Sequence, residues 1–521
     1  MTIDQLSQLR SHRPVRRRWP LVVAAVLVPA LVAAAVIWVT RTRGSAAQTA
    51  RDYLAAWQRR DYPAMRRLVA DPPADFERWH RNVEAGLKLT RVAAELRETG
   101  EGRARFHATL SGRGPDLAYD GRLRLVERDR EWKVAWSPAA IHPELAPGRR
   151  LTLVTAREEA VPVLAADGTR IDTPGTPGSI QQIVASLKAR HGDRLTVPGV
   201  SRIVLSEGDR AVRTLAERAA ARREPFRTTL DLRHHRAGAA ALERTRKPAA
   251  LVAMRASTGE VLAVVNNRGG FDRALMGKYP PGSTFKVVTA SALVAAGMRP
   301  GQIVRCPAEQ NIGGFTFHNA HFHDFGSLPF RDAFAHSCNT TFGAQAVARL
   351  GARRLAKVAG DFGFGVPIDP GVPAVRADFP APKDDTDLAS ASIGQGRVLA
   401  SPLNMAGVAA AIAGGVWRSP RLVPAGLVPT QERALEPAVV EALRELMPAV
   451  VSEGTAHAVR FPPGTAGKTG TAEYGSGEEP PTHSWFIGYR GDLAFAVVVE
   501  GGGEGAAVAA PIAAGFLARL S

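Results

Sequence analysis

Cysteine and lysine are scarce in this chain of 521 residues: two cysteines, Cys306 and Cys338, and nine lysines against 58 arginines. Neither cysteine lies near the N-terminus, which excludes a lipid-modified cysteine as an anchor. Long low-complexity tracts are missing, and no repeat of 20 to 50 residues recurs, which excludes a solenoid. Also missing is any basic strip interleaved with aromatic residues. The net charge of +18 could suit nucleic acid, anionic lipid or an anionic cell wall. Without stacking residues among the arginines, nucleic acid is set aside.

What is present is ordinary for folded protein: 22% charged and 45% hydrophobic residues, with length for more than one core. The N-terminus stands apart. Residues 1–18 hold Arg10, Arg13, Arg16, Arg17 and Arg18, and residues 19–40 carry no charge. At 1.5 Å per residue that apolar run would reach about 33 Å as a helix, enough for a bilayer core. Trp19 and Trp38 stand near its ends, where indole favours the interface. The arginine excess before the run predicts a cytoplasmic tail, a single membrane span and an extracytoplasmic body. A cleaved signal peptide is the alternative, but its apolar stretch is usually shorter. The two cysteines fall in the body, where oxidation is allowed. Cys306 and Cys338 are either a disulfide or two buried thiols.

Residues 45–143 read as one module. AAQTARDYLAAWQRRDYPAMRRLVA has helical spacing. ARFHATLSG, YDGRLRLVER and EWKVAWSP read as strands, the last two joined at Asp129-Arg130-Glu131. Residues 147–225 are broken by Gly and Pro. A helix, SIQQIVASLKARHGD, then a short strand, SRIVLSE, and a second helix are expected there. From residue 226 the pattern sharpens. PFRTTLDLRHHRAGAAAL is an extended lead-in and a helix. LVAMRASTGEVLAVVNN and HSWFIGYRGDLAFAVVVEGGG are hairpins, the second turning at Arg490-Gly491-Asp492, and AAVAAPIAAGFLARLS is a closing helix. Strands at both ends with helices between predict one antiparallel sheet flanked by helices.

Within that last region lies YPPGSTFKVVTA. Pro280, Pro281 and Gly282 break the chain before a helical run. Ser283 and Lys286, three apart, share a helix face. A serine hydroxyl needs a base to become a nucleophile, and a lysine can serve when burial or neighbouring cations make its ammonium acidic. Arginine could not, since it does not deprotonate in proteins, so lysines kept in an arginine-rich chain are informative. Later, FAHSCNTTFG holds Ser337, Cys338 and Asn339: a second hydroxyl to relay a proton and an amide to hold a substrate carbonyl. Later still, FPPGTAGKTGTAEY holds Lys468, Thr469, Gly470 and Thr471 and reads as an edge strand, whose glycine allows close approach and whose lysine and hydroxyls can grip a carboxylate.

Ser-x-x-Lys, Ser-x-Asn and Lys-Thr-Gly in that order resemble the motif set of penicillin-binding proteins and related β-lactamases. ASIGQGRVLASPLNMAGVAAAIAGG and the Trp485-Phe486-Ile487-Gly488 strand fit the same family. The 45–143 module, ending in WKVAWSPAAIHPEL, resembles the nuclear-transport-factor-2-like N-terminal domain of certain class B members. The resemblance implies an α+β multidomain protein: tail (1–18), transmembrane helix (19–40), nuclear-transport-factor-2-like domain (45–143), linker and dimerisation-like module (147–225), and transpeptidase domain (226–521). It implies a D,D-transpeptidase that cross-links peptidoglycan stem peptides through an acyl-enzyme and is acylated by β-lactams. In that scheme Ser283 is the nucleophile and Lys286 its base. Ser337 and Lys468 pass a proton to the leaving D-alanine, and Asn339 positions the substrate amide. Thr469 and Thr471, with Gly470 between them, bind the terminal carboxylate. The backbone N–H groups of Ser283 and Thr471 form the oxyanion hole. No cofactor and no metal are implied. No segment has a glycosyltransferase motif, so a separate membrane partner would polymerise the glycan.

Other readings stay open on sequence grounds. A D,D-carboxypeptidase or β-lactam hydrolase could carry the same motifs, and a non-catalytic scaffold or β-lactam sensor could retain them. The 45–143 module shows no catalytic constellation and reads as a pedestal. HNAHFHDF is rich in histidine, and His321 and His323 would share one face of a strand, but no partner cluster for a metal is evident. His234, His235 and the Asp384–Asp387 run read as exposed residues near helix or loop ends.

Overall fold

The computed structural model describes residues 30, 32–33, 42–100, 102–220, 223–476 and 480–521. The expected tail (1–18) lies outside the described residues, as does the expected membrane span (19–40) apart from three positions. Among the described residues no helix is long and apolar enough to cross a membrane. The chain divides into two compact units, residues 1–159 with 197–222, and 160–196 with 223–521.

In the first unit Ser45 opens helix α1 (Ala46–Gln58), its hydroxyl accepting from the Gln48 N–H, as an N-cap should. The helix buries Ala50, Tyr53, Leu54 and Trp57 at helical spacing. Asp61 caps the short α2 (Tyr62–Arg67) in the same way. A third helix, α3 (Phe76–Leu87), buries Phe76, His80, Val83 and Leu87. Strands β1 (Leu89–Gly100), β2 (Arg103–Gly112), β3 (Leu117–Arg128) and β4 (Glu131–Val134) then form an antiparallel sheet in sequence order. The β3–β4 turn has both Asp129 and Arg130 at positive φ, 51° and 63°, the geometry that matches strand twist in a two-residue hairpin. β1 is absent from the sequence reading. Its Ala, Leu, Arg and Glu favour helix locally, and pairing with β2 overrides that preference.

A second sheet of this unit runs β7 (Arg210–Arg218), β6 (Ser201–Glu207), β5 (Arg149–Thr155), all antiparallel. Leu151, Ile203 and Leu205 join the same core as the helices and the first sheet. The expected helix after SRIVLSE is therefore a strand. The chain turns at Gly208 (φ 58°) and returns as β7. Most of β7 is exposed, so no apolar stripe exists there to hold a helix against a core. The stretch 147–225 is divided: residues 160–196 belong with the second unit and the strands on either side with the first.

The second unit begins with α4 (Gly178–Arg190) and α5 (Leu232–Leu242). Its five-stranded antiparallel sheet takes strands from both ends of the region, β8 (Ala249–Arg255), β9 (Val261–Asn266), β11 (Thr465–Glu473), β12 (Thr482–Arg490) and β13 (Leu493–Val499), in the order β9–β8–β13–β12–β11. A short β10 (Ile303–Cys306) lies outside it. Between these strands come α6 (Lys286–Ala295), α7 (Phe330–Ala335), α8 (Asn339–Gln345), α9 (Pro402–Gly414) and α10 (Pro437–Ser452), and α11 (Ala509–Ala518) closes the chain. α5 packs with α11 against the sheet, and α9 and α10 pack on it as a second pair. β8 and β13 are buried at nearly every position, so helices cover both faces. His235 is not an exposed helix-end residue. It sits 1% exposed on the inner side of α5, with Nε2 3.0 Å from Ser179 Oγ.

Candidate active site

The Pro280-Pro281-Gly282 corner sets the first part of the site. Gly282 has φ 52°, and a Cβ there would lie 2.8 Å from the Thr471 carbonyl oxygen, so only glycine fits the turn. Residues Gly282–Phe285 form one 3₁₀ turn before α6 begins at Lys286. In a 3₁₀ turn side chains at i and i+3 eclipse. Lys286 Nζ accordingly lies 3.0 Å from Ser283 Oγ.

The second part is the corner between α7 and α8. Ser337 has φ 62°, a left-handed conformation that costs a non-glycine residue about 1 kcal/mol or more. That turn brings the Ser337 carbonyl oxygen 2.6 Å and its Oγ 3.3 Å from Lys286 Nζ. Asn339, the first residue of α8, places Oδ1 2.6 Å from the same nitrogen. A disulfide joins Cys338 to Cys306 at the end of β10, with Cα atoms 6.1 Å apart.

The third part is β11, an edge strand of the sheet. A Cβ on Gly470 would meet Thr284 Cγ2 at 2.8 Å and the Pro281 carbonyl oxygen at 2.9 Å, so this glycine lets the strand lie against the Ser283 turn. Lys468 Nζ donates to Ser337 Oγ at 2.8 Å. The hydroxyls of Thr469 and Thr455 lie 2.6 Å apart, and Thr471 Oγ1 accepts from the Gly505 N–H at 3.1 Å.

Both lysines are fully buried. Burial holds the Lys286 ammonium well below its ordinary pKa, and the neighbouring Lys468 charge lowers it further. Burial alone brings Lys468 down to about 7. Phe342 and Phe334 supply apolar, π-rich neighbours 5.6 and 5.7 Å from the two nitrogens. Ser283, by contrast, opens onto a cleft of about 440 Å³ lined also by Asn339, Thr469, Thr471, His318 and Glu504. Such a cleft can hold an extended peptide end next to a nucleophile, an amine that burial makes readier to lose its proton, and a second amine lowered to about 7.

All eight motif residues named from the sequence therefore meet at one cleft. Thr455, His318 and Glu504 were not singled out as parts of it. Thr455 carried no motif, and its role comes only from the turn after α10 that sets it beside Thr469. The histidine-rich stretch is not a strand face: Ala320–Phe322 is a 3₁₀ turn, with His321 at φ 54°. His321 Nε2 instead lies 2.8 Å from Glu504 Oε1.

Comparison with known proteins agrees with this geometry. Residues 249–518 match the penicillin binding protein transpeptidase domain, and residues 45–149 match the NTF2-like N-terminal transpeptidase domain. Peptidoglycan D,D-transpeptidase PbpA of Mycobacterium tuberculosis strain H37Rv is 36% identical over 274 residues, 46% of this chain and 55% of that protein. The chain thus spans about half the length of the curated relatives it matches. The structure of penicillin-binding protein A from M. tuberculosis as a ceftriaxone acyl-enzyme complex is 30% identical, with TM-score 0.52, over 57% of this chain and 79% of that one. The D,D-transpeptidase domain of a peptidoglycan glycosyltransferase from Eggerthella lenta is 25% identical, with TM-score 0.56, over 70% and 98%. With more than half its length matched by the transpeptidase model and the motif residues gathered at one cleft, the chain belongs to the penicillin-binding protein transpeptidase family, as a class B member with an NTF2-like N-terminal domain.

Proposed function

We propose that this chain is a serine D,D-transpeptidase that cross-links peptidoglycan stem peptides. The observation that carries the reading is the Lys286 amine, buried and 3.0 Å from Ser283 Oγ. Held below its ordinary pKa, that amine can be neutral when it meets the hydroxyl, which is what a general base requires. Ser283 Oγ attacks the carbonyl carbon between the two terminal D-alanines, and its proton passes to Lys286 Nζ. The C–N bond breaks as the departing amine takes a proton through Ser337 Oγ, which lies within reach of both lysines. Backbone N–H groups of Ser283 and Thr471 hold the oxyanion. Asn339 holds the substrate amide, and Thr469 and Thr471 hold the terminal carboxylate. The amine of a second stem peptide then attacks the ester, forms the cross-link and returns the proton to Ser283.

The same proposal places residues 1–18 in the cytoplasm, residues 19–40 in the membrane and the rest outside the cell, on the charge and hydropathy pattern alone. Neither matched domain polymerises glycan, so that step is assigned to a separate membrane partner. β-Lactams would trap Ser283 as an ester. The relative that forms a ceftriaxone acyl-enzyme supports that step.

The test is labelling with a fluorescent penicillin followed by intact mass. One adduct on the native protein and none on Ser283→Ala is expected. Unlabelled native protein, or a labelled alanine variant, overturns the reading. Product analysis with stem-peptide substrates separates the reactions: cross-linked dimer is expected, and D-alanine released without dimer would mean hydrolysis instead.

A further inference from the structure

The helix that presents Asn339 starts without a cap of its own. The residue at the cap position of α8 is Cys338, whose side chain makes no capping bond, its sulfur being tied to Cys306. The first N–H groups of a helix have no partner within it and need an acceptor from elsewhere. Asn319, twenty residues earlier, supplies one. Its Oδ1 accepts from the N–H of Asn339 at 2.8 Å and from that of Thr340 at 3.3 Å.

The other end of that amide is held as firmly. Asn319 Nδ2 donates to the carbonyl oxygens of Pro307 at 2.9 Å and His323 at 3.0 Å, and lies 3.2 Å from Cys306 Sγ. The network fixes the orientation: a flipped amide would turn an NH₂ group toward two N–H donors. The residue is 2% exposed. Its neighbour His318 completes the hold, with its carbonyl oxygen accepting from Asn339 Nδ2 at 3.0 Å. Consecutive residues thus grip the backbone and the side chain of Asn339 and leave Oδ1 turned toward Lys286 Nζ at 2.6 Å.

We propose that Asn319 is a positioning residue for the Ser337-Cys338-Asn339 corner, a cap supplied from a distant loop that sets Asn339 against the Lys286 amine. It touches neither Ser283 nor the lysine and acts through Asn339. The activity readouts below rest on the transpeptidase reading; the cap itself does not.

The experiment compares the full chain with Asn319→Ala and Asn319→Asp. It measures the limiting acylation rate by a fluorescent penicillin across pH, counted per titratable site, and amide hydrogen exchange over α8. In Asn319→Ala the limiting rate falls by about tenfold or more, since small misplacements near the reacting atoms are costly. The Asn339 and Thr340 amides exchange faster. The acid limb of the rate profile moves to lower pH, because Lys286 loses an acceptor that favours its charged form. Asn319→Asp, studied at mildly acid pH where its protonated carboxyl can still donate to the Pro307 or His323 carbonyl, keeps the accepting oxygen and retains the slow exchange of those two amides. A wild-type limiting rate and acid limb in Asn319→Ala, whatever its melting temperature, overturns the proposal. So does exchange at that mildly acid pH in Asn319→Asp as fast as in Asn319→Ala, a comparison that still decides if the alanine variant folds poorly and its exchange is matched to the unfolded chain. Failure of the native protein to take up penicillin would sink the transpeptidase reading and leave the exchange test of the cap standing.

Discussion

Two amines share one small volume in this site, and their different surroundings divide the labour. Lys286 loses proton affinity to burial first and to the nearby Lys468 charge second. Lys468 loses it to burial and stands near 7. Lys286, lowered by both causes, is the amine suited to take a proton, and Lys468, lowered by burial alone, the one suited to give a proton. Arginine at either position would stay charged and could not alternate. Removing the Lys468 charge should therefore be felt at Lys286. In Lys468→Met the acylation rate is expected to fall by about 100-fold, the usual contribution of a positioned acid or base. Its acid limb should move to higher pH, because without the neighbouring cation the Lys286 ammonium is easier to keep. A pH–rate profile for penicillin acylation reads both effects. A limb that stays in place or moves to lower pH means that the two amines are not coupled as the geometry implies.

At the scale of elements, the Cys306–Cys338 bond ties the end of β10 to the residue that precedes α8 across a sequence separation of 32. A loop of that length closed by a disulfide contributes about 3–4 kcal/mol by limiting the unfolded chain. Cys306→Ala with Cys338→Ala should lose stability of about that size, read as faster amide exchange across α7, α8 and β10 in mild denaturant. Exchange unchanged in those elements would show that the bond holds nothing the packing does not. The local signals for these elements were uneven. The Ser283 turn, the Ser337 corner and the β11 strand are legible because proline, glycine and motif spacing lie within a few residues of the chemistry. β1 and β7 are not: Ala, Leu, Arg and Glu in them spell helix locally, and only pairing with β2 and β6 makes them strands. Thr455 and Asn319 escaped for a related reason. Each acts on a residue fourteen or twenty positions away, and no periodicity or motif encodes a single hydrogen bond across such a gap.

For the whole molecule, the division into two units predicts unequal responses to acid. The second unit carries the chemistry described above. The first carries a histidine that no part of that chemistry uses. His80 is 2% exposed, and among the described residues neither of its ring nitrogens has a hydrogen-bond partner. Its surroundings are aromatic: Tyr62 stacks at 5.1 Å between ring centroids, Phe76 lies at 5.0 Å, and Trp57 and Trp136 at 6.0 and 6.1 Å. Glu84 and Arg60, which act on the neighbouring Tyr62, are paired with each other at 3.1 Å. Burial therefore drives the His80 pKa down to about 3 from an ordinary 6.5, whereas the unfolded chain binds its proton at the ordinary value. The unfolded state then holds more protons than the folded one between these limits, so stability is complete above pH 6.5 and drains away as pH falls toward 3. At pH 5 the loss is about 2 kcal/mol, from 1.36 kcal/mol per pH unit. Hydrogen exchange at pH-corrected rates is the measurement. Between pH 7.5 and 5, α1 and α3 should lose protection in the native protein and keep more of it in His80→Phe, which fills the same aromatic box without a titrating group. Equal loss of protection in both proteins would mean that the acid response of the first unit comes from other groups, such as the buried His142, whose pKa burial also lowers, rather than from this ring.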